Sequence, residues 1–349
     1  MALLPEHSAL QHERAPRPLP LFLELLRRVS EHDPEMARDA LAGLKAYEGA
    51  SRVVSPAPKA EISHIGGAKL RDHGGVGPPA VLVPSLINPP RILDLDDEVS
   101  LANAIAAAGR NALLLDWGPA EQRRSLDVAG HVEELLVPLL RSIGEPVALV
   151  GYCLGGTMAI AAANLTGVER VATLAAPWAF SNYPESSRGA LLDMWRHSEP
   201  AARSLGALPM EVLQAAFWSL NPERTVRKFA EFGRLNPESP EAQRFIALED
   251  WANEGEPLPY PAARELIEDL FGADVTDQGK WLLQGKAVTD EVRVPLLNLL
   301  AAHDRIAPSA TAARGDQIAI ASGHVGMVVG SARKQLHEAL RGFLDPACR

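Results

Sequence analysis

Apolar and polar positions follow two rhythms along this chain. From about residue 80, short apolar runs alternate with stretches of helical spacing. AVLVPSL (80–86), NALLLDW (111–117), PVALVGYC (146–153) and ERVATLAAP (169–177) are the runs. EVSLANAIAAAG (98–109), HVEELLVPLLRSIG (131–144) and LGGTMAIAAANLTG (154–167) lie between them. A run that is apolar on every position is a strand covered on both faces, so the repeat predicts βα units around a parallel sheet. Pro138 has no N–H to give its helix and is expected to kink or divide it. Between Trp178 and about Glu291 the alternation stops, and several helices are separated by NPE, NPESPE and EGEPLPYP. It resumes with PLLNLLAAHD (295–304) and QIAIASGH (317–324), and closes with a helix near Ala332–Leu344.

Upstream of the sheet, residues 1–20 read as a loose arm, and 20–48 as two short amphipathic helices broken at Asp33-Pro34. Residues 50–79 hold SPAPKA, HIGGA and HGGVGPP and read as a connector. A sheet interrupted once by helices and then completed outlines the α/β-hydrolase fold: a mostly parallel sheet flanked by helices, with a helical cap inserted before the last two strands. The expected division is 1–78 for the arm, short helices and linker, 79–178 with 292–349 for the core, and 179–291 for the cap.

Composition narrows the function classes. The chain has 349 residues, 47% hydrophobic and 22% charged, with a net charge of −10. This is an ordinary globular balance with no basic face for nucleic acid. No apolar run reaches the roughly 20 residues of a membrane span, and the polar opening argues against a signal peptide. Two cysteines make no disulfide framework, which points to a reducing cytoplasm. Metal chemistry is not expected, since neither HExxH nor CxxC occurs, and no GxGxxG marks a dinucleotide cofactor.

One cysteine has a setting that suggests chemistry. Cys153 follows a strong strand, opens a helix and has glycines at −2 and +2, as a nucleophile on a sharp strand-to-helix turn requires. The helix N-terminus beneath it favours negative charge, and the backbone N–H of Leu154 is the first expected oxyanion donor. A second should come from the loop after strand 80–86, at Leu86 or Ile87. Partners belong at later strand ends, acid before base: Asp304 closes LLNLLAAHD and His324 closes QIAIASGH. His303 is a rival base, but neighbours on an extended chain face opposite ways. A buried structural cysteine is the alternative for Cys153. The distant Cys348 reads as tail. Phe217-Trp218 and the Trp251 stretch read as cap core or, alternatively, as acyl-pocket lining. A cysteine nucleophile exchanges acyl groups with thioesters at little cost, so acyl-CoA is a natural substrate and no further cofactor is expected.

At these residues the sequence resembles the polyhydroxyalkanoate synthases, particularly the shorter class that works with a second subunit. The matching stretches are VPSLINPP (83–90) with Ile92-Leu93-Asp94-Leu95, Leu115-Asp116-Trp117-Gly118, the Gly-Tyr-Cys-Leu-Gly-Gly-Thr elbow, His303-Asp304-Arg305-Ile306-Ala307-Pro308, and Ser322-Gly323-His324-Val325-Gly326. The likeness covers about 79–178 and 292–345; it is weak across the cap and absent over the first 70 residues. It implies Cys153 as acyl acceptor, His324 as general base and Asp304 as its partner. It also implies a 3-hydroxyacyl-CoA substrate, a growing polyester, a homodimer, a second synthase subunit and association with polyester granules. The expected function is therefore acyl transfer from CoA thioesters to a hydroxyl acceptor. The alternatives are a thioesterase or polyester depolymerase with the same three residues, or a non-catalytic granule protein.

Overall fold

The computed structural model describes residues 15–52 and 58–345. Most of the expected arm, and Cys348, lie outside the described residues. Two compact units are present, one formed by 15–52 with 214–254 and the other by 58–213 with 255–345.

The larger unit is built on eight strands: β1 (Glu61–Ile65), β2 (Ala68–Asp72), β3 (Pro79–Val83), β4 (Asn111–Asp116), β5 (Val147–Tyr152), β6 (Val168–Leu174), β7 (Leu296–Ala301) and β8 (Asp316–Ile320). Their order across the sheet is β1-β2-β4-β3-β5-β6-β7-β8. Strands β3 to β8 are parallel. Every residue of β3, β5 and β7 is buried, which is why these strands read as unbroken apolar runs. Crossovers include the helices Leu101–Ala107, capped by the Ser100 hydroxyl on the Asn103 N–H at 2.9 Å, and Leu154–Leu165. A helix over 128–142 carries Pro138, and its turn His131–Leu136 widens to i→i+5 bonding just before the proline.

The expected connector differs from what the structure shows. Residues 61–72 form a hairpin, β1–β2, that pairs antiparallel with β4 and extends the sheet. Ile65 pairs with Ala68, so Gly66-Gly67 is a two-residue turn, and Gly66 adopts a φ of +55°. β1 is an edge strand with mostly exposed or half-exposed side chains, so its alternation is too faint to stand out from the glycines.

The smaller unit also redraws the expected division. The helices Leu19–Ser30 and Pro34–Gly49 appear where their periodicity predicts them, the second capped by Asp33 on the Met36 N–H at 2.9 Å. They share one core with Pro222–Phe232 and Pro240–Asn253, drawn from the middle of the stretch read as a cap. Phe22 meets Phe229 edge to face at 4.8 Å. The Tyr47 hydroxyl donates to Asp250 at 2.5 Å, and Arg52 pairs with the same carboxylate at 3.1 Å. Trp218 belongs to this core and Trp251 is buried, so the core reading applies to both. No helix among the described residues is long and apolar enough to cross a membrane.

Candidate active site

β5 ends at Tyr152 and a helix starts at Leu154, so the chain turns within one residue. That residue is Cys153, with φ 56° and ψ −132°. A side chain at positive φ costs about 1–3 kcal/mol and persists only where its surroundings impose it. Here the Cys153 N–H donates to Leu174 O at 2.9 Å and its carbonyl accepts from the Gly156 N–H at 2.8 Å. The flanking glycines allow the close approach: a Cβ on Gly151 would lie 2.4 Å from Gly156 Cα, and one on Gly155 would lie 2.1 Å from Val83 O. Any larger residue would push the helix off β3 and β5.

The two expected partners lie in the loops after β7 and β8. Asp304 Oδ1 accepts the N–H groups of Ile306 (2.7 Å) and Ala307 (3.0 Å), which orients the carboxylate. Its Oδ2 lies 2.6 Å from His324 Nδ1, with the two side chains 0% and 8% exposed. A carboxylate there fixes Nδ1 as the protonated nitrogen and aims the other ring nitrogen away from Asp304. His324 is near enough to Cys153 for the two side chains to interact electrostatically. The rival His303 is exposed, and its N–H donates to Ser322 O.

Electrostatics favours the protonated form of His324. Burial alone would push the His324 imidazole down, but interaction with Cys153, the hydrogen bond to Asp304 and the Asp304 charge carry it up to about 10. Two tyrosines that sequence reasoning missed close the surroundings. The Tyr152 ring lies 5.0 Å from that of His324, and its hydroxyl reaches His324 O at 3.4 Å. The Tyr183 hydroxyl donates to Ile306 O at 2.8 Å. Burial, then the charges of Cys153 and Asp304, raise both phenols well above their usual range, so they stay neutral. Tyr152 stood beside the cysteine in the elbow; Tyr183, from a different part of the chain, had no local signal.

Both expected oxyanion donors have N–H groups that no backbone carbonyl among the described residues accepts. Leu154 is the first residue of its helix, where an N–H has no intrahelical partner. Ile87 lies in the loop after β3, and its carbonyl accepts from the Glu256 N–H at 3.3 Å. Among the described residues no group of three or more His, Cys, Asp or Glu side chains is placed to hold a metal ion.

No family model matches the chain. It is 27% identical over 309 residues to the poly(3-hydroxyalkanoate) polymerase subunit PhaC of Haloarcula marismortui, covering 80% of this chain and 64% of that one. Against the PhaC subunit of Allochromatium vinosum it is 26% identical over 290 residues, covering 76% and 80%. The chain is thus similar to poly(3-hydroxyalkanoate) polymerases over more than three quarters of its length. It spans less than two thirds of the haloarchaeal relative's length. Among solved structures, a hydrolase from Pseudomonas aeruginosa PA01 superposes with a TM-score of 0.51 at 16% identity, covering 79% of this chain and 94% of that one. The fold is that of the α/β-hydrolases.

Proposed function

We propose that this chain is a member of the polyhydroxyalkanoate synthase family, an acyltransferase that takes 3-hydroxyacyl groups from CoA thioesters onto Cys153 and passes them to a hydroxyl acceptor, building polyester. The observation that carries this is the buried Asp304–His324 pair, hydrogen-bonded at 2.6 Å and electrostatically coupled to Cys153 at the strained turn between β5 and its helix. In the first step the Cys153 sulfur attacks the thioester carbonyl, its proton passing to His324, and the oxyanion is received by the N–H groups of Leu154 and Ile87. The C–S bond to CoA then breaks, and CoA leaves with the proton from His324. In the second step His324 takes the proton of the acceptor hydroxyl, the new ester C–O bond forms, and the Cys153 thiol is regenerated. One thioester is exchanged for another and then for an ester, so the sequence is redox-neutral. The family likeness further supports self-association, a second synthase subunit and binding to polyester granules.

Incubation with 3-hydroxybutyryl-CoA tests the proposal. CoA release, a Cys153-linked acyl group by intact mass and an oligoester product are expected. CoA release with only free hydroxy acid would replace the synthase reading with a hydrolase. An unacylated Cys153, or full activity in Cys153→Ala, would remove the nucleophile.

A further inference from the structure

The loop after β3, which supplies the Ile87 donor in the reading above, is held by donors from outside it. Trp117 Nε1 donates to Pro84 O at 3.1 Å, Arg123 Nη2 to Leu86 O at 3.4 Å, and the Glu256 N–H to Ile87 O at 3.3 Å. Arg123 is only 4% exposed. Its Nε also donates to Gly118 O at 3.2 Å, and its Nη1 lies 3.3 Å from His131 Nε2. Burial holds the His131 imidazole down at about 4, so at neutral pH it is uncharged. Nδ1 donates to Asp127 O at 2.6 Å, which leaves Nε2 as the acceptor for Arg123. Glu256 lies 3.6 Å from Arg123 Nη2 and accepts the Ala120 N–H at 2.5 Å. A buried cation with this many partners is built to stay in one orientation.

Leu86 C=O and Ile87 N–H belong to the same peptide plane. In a trans peptide they point in opposite directions, so holding the carbonyl aims the N–H. A guanidinium on the carbonyl oxygen also polarises the amide and strengthens its N–H as a donor. We propose that Arg123, braced by Glu256, is a positioning residue for acylation, fixing and polarising the Ile87 N–H toward the oxyanion. The proposal rests on the acyltransferase reading above. It adds a residue that touches neither Cys153 nor His324.

The test compares two reactions of Cys153 in the full chain: acylation by 3-hydroxybutyryl-CoA, which passes through an oxyanion, and alkylation by iodoacetamide, which does not. Arg123→Met is expected to slow acylation about 10- to 100-fold, short of the full loss of an oxyanion donor. Alkylation should keep its wild-type rate, and Arg123→Lys should restore part of the acylation rate. Equal acylation by wild type and Arg123→Met overturns the proposal, and so does a parallel fall in both reactions, which marks a purely structural role. If Arg123→Met does not fold, Glu256→Gln reads the same split from the half-exposed end of the network; unchanged acylation there also overturns it. A wild-type chain that is alkylated at Cys153 but never acylated removes the acyltransferase reading itself, an outcome distinct from an Arg123 effect.

Discussion

Taking the negative charge from Cys153, by acylation or by Cys153→Ala, should lower the proton affinity of His324 sharply. Two unit charges about 4 Å apart at an effective dielectric near 20 interact by about 4 kcal/mol. At about 1.4 kcal/mol per pH unit, loss of that partner corresponds to about 3 units. His324, held up to about 10 in the resting chain, would then titrate near neutrality. The acyl-enzyme would therefore carry a histidine able to accept the proton of an incoming hydroxyl. NMR titration of the His324 ring nitrogens from pH 5 to 11, in wild type and in Cys153→Ala, measures the shift directly. A Cys153→Ala protein in which His324 still titrates above pH 9 refutes the reasoning. It would mean that Asp304 alone holds the proton and that acylation does not prime the base.

Asp304→Asn should slow acylation by about 10³- to 10⁴-fold, as loss of the orienting carboxylate does in comparable triads, read as the rate of CoA release. Gly155→Ala places a Cβ against Val83 O and should cost about 1–3 kcal/mol, seen as a fall of several degrees in the melting temperature. Stability should also depend on pH. Glu265, raised to about 7 mainly by burial, makes stability fall with rising pH between about 4.5 and 7. His131, lowered to about 4, makes it rise between about 4 and 6.5, so the two oppose each other. Above pH 7 His324 dominates these three: its contribution is complete below about 6.5 and is lost as pH climbs through about 10. The urea midpoint should therefore decline from pH 7 to 10, and in Cys153→Ala the decline should move to lower pH.

Much of the sheet was legible because its buried strands carry apolar side chains on both faces, a pattern that survives without knowledge of neighbours. The positions of Cys153 and Asp304 were legible for a related reason: each follows such a strand, and the elbow glycines mark close backbone approach. His324 follows β8, an edge strand exposed at four of its five residues, and was legible only from the apolar run that closes on it. The β1–β2 hairpin was missed although Gly66-Gly67 is a hairpin turn signal, because an edge strand half open to water has little apolar contrast. Arg123 was invisible in principle. In Gln122-Arg123-Arg124 nothing local separates the buried arginine, 4% exposed, from its neighbour Arg124, whose side chain is 54% exposed. The partition into two units was equally hidden, since the contacts of Tyr47 and Arg52 with Asp250 span about two hundred residues.

That partition has a consequence during synthesis. Phe22, Leu25, Leu26 and Leu44 leave the ribosome long before Trp218, Val226, Phe229 and Ile246, with which they share a core. At about 5–20 residues per second the intervening chain takes roughly 10–30 s to emerge. Throughout that time the first two helices have an apolar face and no native partner to cover it. Nascent chains paused before residue 214 should therefore be the species most in need of a holding chaperone.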